Sequence, residues 1–169
     1  MSSSHIPIRF LYSSAMIIIS VANQLLHHRR KGGVWYSYPI STAKNGVGNI
    51  RESFQTPLGK HRIAKKIGAG MPPLTAFRAR EPFTIFDPEN DDLNRDWILT
   101  RILWLEGCET GTNRRGSVDT KSRHIYIHGT HEENLIGTPC SHGCIRMRNL
   151  DMLELFEHTC AGERVNIRL

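Results

Sequence analysis

Met16-Ile17-Ile18-Ile19-Ser20-Val21 is the stretch on which the fold turns. Three consecutive β-branched isoleucines are stiff at χ1 and suit a pleated, buried surface, so the run reads as a strand. Its surroundings offer a rival. Arg9 precedes an apolar centre from Phe10 to Ala22, and Ser20-Val21-Ala22 has the small-x-small form of a signal cleavage site. Ser13 and Ser14 interrupt that centre and the basic start is weak, so the strand is preferred. On that reading residues 1–15, Ser-rich and aperiodic, are a flexible extension, and residues 16–169 are one domain. No clear export signal remains, which implies a cytoplasmic protein. A periplasmic one is the alternative if residues 1–22 act as a signal.

Outward from this strand the pattern stays β-rich. Val34–Ser41 reads as a second strand, paired with Met16–Leu26 through a turn at Lys31-Gly32-Gly33. Thr42–Gly59 is polar and glycine-rich, a loop. His61–Ile67 and Phe83–Phe86 read as strands, with Gly68–Pro82 an extended connection between them. Asp87–Asp96 is acidic and aperiodic, a surface loop. Trp97–Leu105 is the most hydrophobic run and a core strand. Glu106–Arg123 is polar; His124-Ile125-Tyr126-Ile127-His128 is a strand that stops at Gly129. The one appreciable helix follows Asn149, which is placed to cap it, with Asp151 in the first turn and Leu150, Leu153 and Phe156 facing the core. Val165-Asn166-Ile167 closes the chain as a strand. The class is therefore mostly β, with one helix near the end.

The 169 residues, 39% hydrophobic and 22% charged, suit a single globular domain rather than a disordered chain. No apolar run approaches the roughly 20 residues that span a bilayer. The net charge of +6 favours polyanions, yet no zinc-finger spacing, RNA-binding aromatic signature or long basic block is present, so nucleic acid is not expected as a partner. His27-His28-Arg29-Arg30-Lys31 reads as a solvated hairpin turn. Cys108, Cys140, Cys144 and Cys160 are too sparse for a disulfide scaffold.

Chemistry concentrates in Ser141-His142-Gly143-Cys144-Ile145-Arg146-Met147, a loop just before the helix. Backbone N–H groups and a helix N-terminus lower a thiol's pKa, so Cys144 is expected as a thiolate nucleophile. The N–H groups of His142, Gly143 and Cys144 are candidate oxyanion donors. His128, ending a strand and followed by Gly129, is the candidate base. The bland alternatives are a small buried cysteine and a hydrogen-bonded structural histidine. Zinc on Cys140, His142, Cys144 and His128 is disfavoured, because Cys-x-His-x-Cys would need an unusually tight loop. No metal or cofactor is expected.

These residues resemble a known signature. His128-Gly129-Thr130 followed by Ser141 to Met147 is similar to the motif of the L,D-transpeptidase (YkuD-like) family. Thr56-Pro57-Leu58-Gly59 resembles its Thr-Pro-x-Gly turn, and Ile18 to Gln24 and Tyr38 to Thr42 resemble its first two strands. The resemblance implies a YkuD-like β-sandwich acting on peptidoglycan stem peptides or muropeptides, at the bond between a diamino acid in third place and D-alanine in fourth. It implies that Cys144 attacks and His128 takes the proton, with the Gly129 carbonyl or Ser141 orienting His128. Arg146 would bind a stem carboxylate, and Tyr126 and Trp104 would wall the pocket. An amine acceptor gives crosslinking; water gives trimming, the outcome favoured in a cytoplasm. The region 68–123 reads as an insertion-like lid. A non-catalytic module holding stem peptides is the competing reading.

Overall fold

The computed structural model describes residues 15–169. The expected extension at 1–15 and the basic start at Arg9 therefore fall, apart from Ala15, outside the described residues. Ten strands form one sheet: β1 (Met16–Ser20), β2 (Leu25–Arg29), β3 (Trp35–Ser41), β4 (Gly59–Ile67), β5 (Thr75–Arg78), β6 (Glu81–Ile85), β7 (Ile98–Gly107), β8 (Tyr126–Gly129), β9 (Ile145–Met147) and β10 (Arg164–Arg168). Among the described residues one α-helix is present, α1, running Asn149–His158. The strand order is β4-β10-β1-β2-β3-β9-β8-β7-β5-β6, and a further β4–β7 pairing closes the first eight into a barrel.

Period-2 alternation decides what each strand buries. Ile17 and Ile19 of β1 are fully buried, opposite Val165 and Ile167 of β10 on one side and His28 and Leu26 of β2 on the other. Leu103, Leu105, Ile127, Ile145 and Met147 join the same core, and Met152, Leu155 and Phe156 of α1 pack into it. Each such side chain contributes about 1.5–3 kcal/mol by leaving water. A cleaved signal reaching Ala22 would remove β1, which sits between two paired neighbours.

Some local expectations are corrected. Met16–Leu26 is two strands, because the chain reverses over Val21–Gln24 with Gln24 in left-handed conformation (φ 50). The turn at Lys31–Gly33 is as expected, with φ of 97 and 90 at Gly32 and Gly33. His27, His28 and Arg29 belong to β2 instead of that turn, and His28 is fully buried against Glu163, Nε2 to Oε1 2.8 Å. The connection 68–82 contains β5, which pairs with both β6 and β7. The region 68–123 is no separate lid, since it includes the core strand β7. Asn149 is the first helical residue and does not cap; Arg148 occupies the cap position without a side-chain bond. Leu150 points outward, 78% exposed, and Met152 and Leu155 take the inward positions expected of Leu150 and Leu153. Lys66 closes the other helix end by donating to the carbonyls of Phe156 and Thr159.

Candidate active site

β8 and β9 run parallel, with Ile127 level with Ile145 and His128 level with Arg146. Alternation turns Ile127 and Ile145 into the barrel core. It turns Tyr126, His128, Cys144 and Arg146 to the opposite, outer face. The next strand, β7, adds Ile102 and Trp104 there, opposite His128 and Tyr126. Cys144 is half-buried and packs beside Tyr126 and Trp104 in a small apolar cluster. The outer face therefore carries the cysteine, the histidine and both expected wall residues together.

The sulfur accepts from the Tyr126 N–H at 3.3 Å, and its S–H donates to the His124 carbonyl at 3.4 Å. The surroundings of the sulfur oppose the expected thiolate. Burial pushes the Cys144 thiol up to about 12, the Asp96 charge adds to the rise, and the Tyr126 N–H, Arg146 and Arg123 offset only part of it. The chain between Cys144 and α1 is extended, running through β9 and Arg148.

His128 is 2% exposed and its Nδ1 lies 2.7 Å from the Gly129 carbonyl oxygen. A carbonyl only accepts, so Nδ1 carries the hydrogen and Nε2 of the neutral ring is left as the lone-pair nitrogen. Nε2 makes no hydrogen bond among the described residues, the Cys144 sulfur included. Burial lowers the His128 pKa, opposed by the Asp96 charge and the Gly129 bond. Burial thus favours the neutral form of both groups.

Gly129 is required for a steric reason: a Cβ there would meet Asn149 Oδ1 at 2.3 Å and the Leu99 carbonyl oxygen at 2.9 Å. Asn149 clamps this end of β8, donating to the Thr130 carbonyl and accepting from Thr100 Oγ1. Ser141 does not reach His128. Its Oγ donates to the Cys144 carbonyl at 2.5 Å and accepts from the Gly143 N–H at 3.2 Å, so it ties the loop. That second bond already occupies the Gly143 N–H, one of the expected oxyanion donors. Gly143 has φ +130, which disfavours any side chain. Buried Thr56 donates to the Gly143 carbonyl at 3.0 Å and accepts from the Ala43 N–H at 2.9 Å, so the Thr-Pro-x-Gly turn braces the cysteine loop.

Arg146 is corrected from stem ligand to internal tie. Its side chain is 2% exposed, and its two terminal nitrogens lie 2.7 Å from Asp96 and 2.7 Å from Glu132. Asp96 was missed by sequence reasoning. It sits in a polar loop far along the chain, yet it also meets Nδ1 of the exposed His142 at 3.0 Å. Burial raises its carboxyl, but the charges of His128 and Arg146 and the His142 bond more than offset this and hold it below the usual range. Tyr126 hydroxyl receives Arg80 Nη1 at 3.2 Å, and the Arg80 guanidinium lies 4.8 Å over the Trp104 ring. Arg80 thus brings the β5–β6 turn down onto both expected wall residues.

Against known proteins, the YkuD family, described as the L,D-transpeptidase catalytic domain, matches residues 14–167. A Bacillus licheniformis protein named "Putative L,D-transpeptidase YkuD" is 49% identical over 45 residues, 27% of each chain. L,D-transpeptidase 3 from Mycobacterium tuberculosis, in complex with a faropenem-derived adduct, superposes with a TM-score of 0.57 at 15% identity, covering 92% of this chain and 60% of that one. The Enterococcus faecium L,D-transpeptidase superposes with a TM-score of 0.55 at 16% identity, covering 94% and 51%. Such likenesses carry the fold, and this chain spans little more than half the length of these two solved structures.

Proposed function

Because this chain belongs to the family of L,D-transpeptidase catalytic domains, we propose that it is a cysteine acyl-transferase acting on peptidoglycan stem peptides. The observation that carries this reading is the shared outer face of β8 and β9. A half-buried thiol shares that face with a histidine whose Nδ1 is fixed and whose Nε2 is unbonded among the described residues.

In this mechanism the Cys144 sulfur attacks the carbonyl carbon of the third, diamino-acid residue. The thiol proton passes to His128 Nε2 as the S–C bond forms, since burial favours the neutral thiol. The Asp96 charge facing His128 stabilises the imidazolium while it lasts. The C–N bond to D-alanine then breaks, and His128 returns the proton to the departing amine. Water or an amine next attacks the thioester, the S–C bond breaks, and the thiol is restored. We take water as the acceptor in a cytoplasmic setting and an amine in an exported one. Sequencing the amino terminus of the native protein decides between the settings.

The test is incubation with a stem tetrapeptide, with and without an amine acceptor, followed by mass spectrometry of the products. D-alanine release that depends on Cys144 is expected, with tripeptide as the product in water. Release by Cys144→Ala as fast as by wild type would sink the mechanism.

One observation favours a second reading, a non-catalytic stem-binding module: Cys144 is half-buried in an apolar cluster with Tyr126 and Trp104, surroundings in which a cysteine is inert. A carbapenem adduct on Cys144 would exclude that module, and its absence together with no release of D-alanine would favour it.

A further inference from the structure

A cavity of about 300 Å³ adjoins the cysteine loop. Arg51, Glu52, Phe54, Arg123, Ile125 and His142 line it. Two contacts connect the cavity lining to the cysteine loop. The Cys144 S–H donates to the carbonyl of His124, the residue between Arg123 and Ile125. A Cβ on Gly143 would meet Ile125 Cδ1 at 3.2 Å.

The two arginines, like Arg80 and Arg101, are bonded to neutral acceptors. Arg30, Arg62 and Arg146 each pair with a carboxylate. Arg51 and Arg123 have none within ion-pair distance among the described residues. Arg51 donates to Ser122 Oγ at 3.0 Å. Half-buried Arg123 donates to the carbonyls of Gly48 at 3.1 Å and Gln55 at 2.6 Å and to Ser53 Oγ at 3.4 Å. Those neutral acceptors aim the guanidinium without cancelling its charge. A partly desolvated cation lacking a counter-ion is a costly arrangement that an incoming anion relieves. The backbone around the cavity is also held in uncommon conformations: Glu52, Phe54 and His124 all have positive φ, at 63, 55 and 56. Strain of this kind gathers where a fold presents groups to a ligand.

We propose that this cavity is a carboxylate-binding subsite, in which Arg51 and Arg123 hold a free carboxylate of the stem peptide while its scissile carbonyl lies at Cys144. The proposal rests on the stem-peptide reading above. Planar guanidinium groups match a carboxylate in two-point geometry, and Phe54 and Ile125 supply apolar walls for the methylenes that lead to it. Exposed Glu52 is positioned to meet an ammonium group if the bound end is zwitterionic. Two carboxylates lie near the scissile bond: one on the side chain of a diamino acid that carries it, the other at the terminus of D-alanine. Both offer the same chemistry.

The test measures kcat/KM for release of the fourth residue from three tetrapeptides. One has both carboxylates free, one has the third-residue side-chain carboxyl amidated, and one ends in D-alaninamide. Wild type is expected to lose about tenfold or more on one amidated peptide, which identifies the carboxylate held. Arg51→Gln and Arg123→Gln are expected to lose a similar factor on the fully charged peptide and to change little on the amidated one. Arg123→Lys should recover part of the loss. Should Arg123→Gln fail to fold, exposed Arg51→Gln carries the comparison. Wild type that treats all three peptides alike, or variants that lose equally on charged and amidated peptides, would overturn the subsite and leave the enzyme reading standing. No release from any peptide would overturn the enzyme reading and the subsite with it.

Discussion

His61 and His128 are buried alike, in the same barrel, and each ring turns Nδ1 to the carbonyl of a glycine, Gly59 or Gly129. They differ at the other nitrogen. Nε2 of His61 is 3.0 Å from Thr120 Oγ1, which completes its hydrogen bonding and leaves it nothing to do but hold β4 to the loop before β8. Nε2 of His128 is unbonded among the described residues and shares a sheet face with a thiol. Burial alone does not separate a structural histidine from a working one. A free nitrogen on a sheet face shared with a thiol does, together with the charge that faces it. Asp96 faces His128, whereas His61 feels Glu109 and Arg123 in opposite senses and burial drives it down to about 4.

The largest effect that would sharpen or break this contrast is on turnover. His128→Gln should lower kcat for D-alanine release by roughly 10²–10⁴-fold. His61→Gln should leave kcat nearly unchanged and lower stability by about 1–3 kcal/mol. Turnover that collapses in His61→Gln and survives in His128→Gln would reverse the assignment. Next in size is Asp96→Asn, with an expected loss of about tenfold in kcat. Removing that charge lets the His128 pKa fall further, so the acid limb of the pH–rate profile should move to lower pH. A limb that stays in place would mean that Asp96 only ties Arg146.

Gly129→Ala should cost about 1–3 kcal/mol in urea unfolding, because its Cβ meets a backbone carbonyl that has no room to yield. A signal of comparable size is the pH dependence of stability. His61 is depressed from 6.5 to about 4 in the folded state. Between those values the unfolded chain binds the extra proton, so stability is full above pH 6.5 and falls as pH drops toward 4. The drop totals roughly 3 kcal/mol. His61→Gln should flatten that slope, and an unchanged slope would assign it to another group.

The parts legible in the sequence were those carried by local pattern. Ile17 and Ile19, Leu103 and Leu105, and Ile127 advertise strands through their own side chains, and the Ser141 to Met147 signature marked the reactive loop. What stayed hidden depends on partners distant in sequence. His27 to Lys31 looks like a solvated turn, because only Glu163, brought in beside β10, makes His28 tolerable inside a barrel. Three residues are too few for β9 to show a period, yet β9 sets the sheet face of Cys144. Asn149 has the chemistry of a cap, but Thr100 and Thr130 claim its side chain first. Asp96 sits in a polar run with nothing local to distinguish it from Asp91 or Asp92. The thiol's surroundings are hidden for a related reason: Asp96, Arg123 and Tyr126, which act on it, lie far from Cys144 in sequence.

Peptide mapping after acid quench tests the account most directly. Wild type and His128→Gln are each mixed with a stem tetrapeptide, and the modified residue and its rate of labelling are read by mass spectrometry. The account predicts a tripeptidyl group on Cys144 in wild type, formed at least 10²-fold more slowly, by order of magnitude, in His128→Gln. Labelling at Cys108, Cys140 or Cys160 instead, or equal rates in the two proteins, would contradict it.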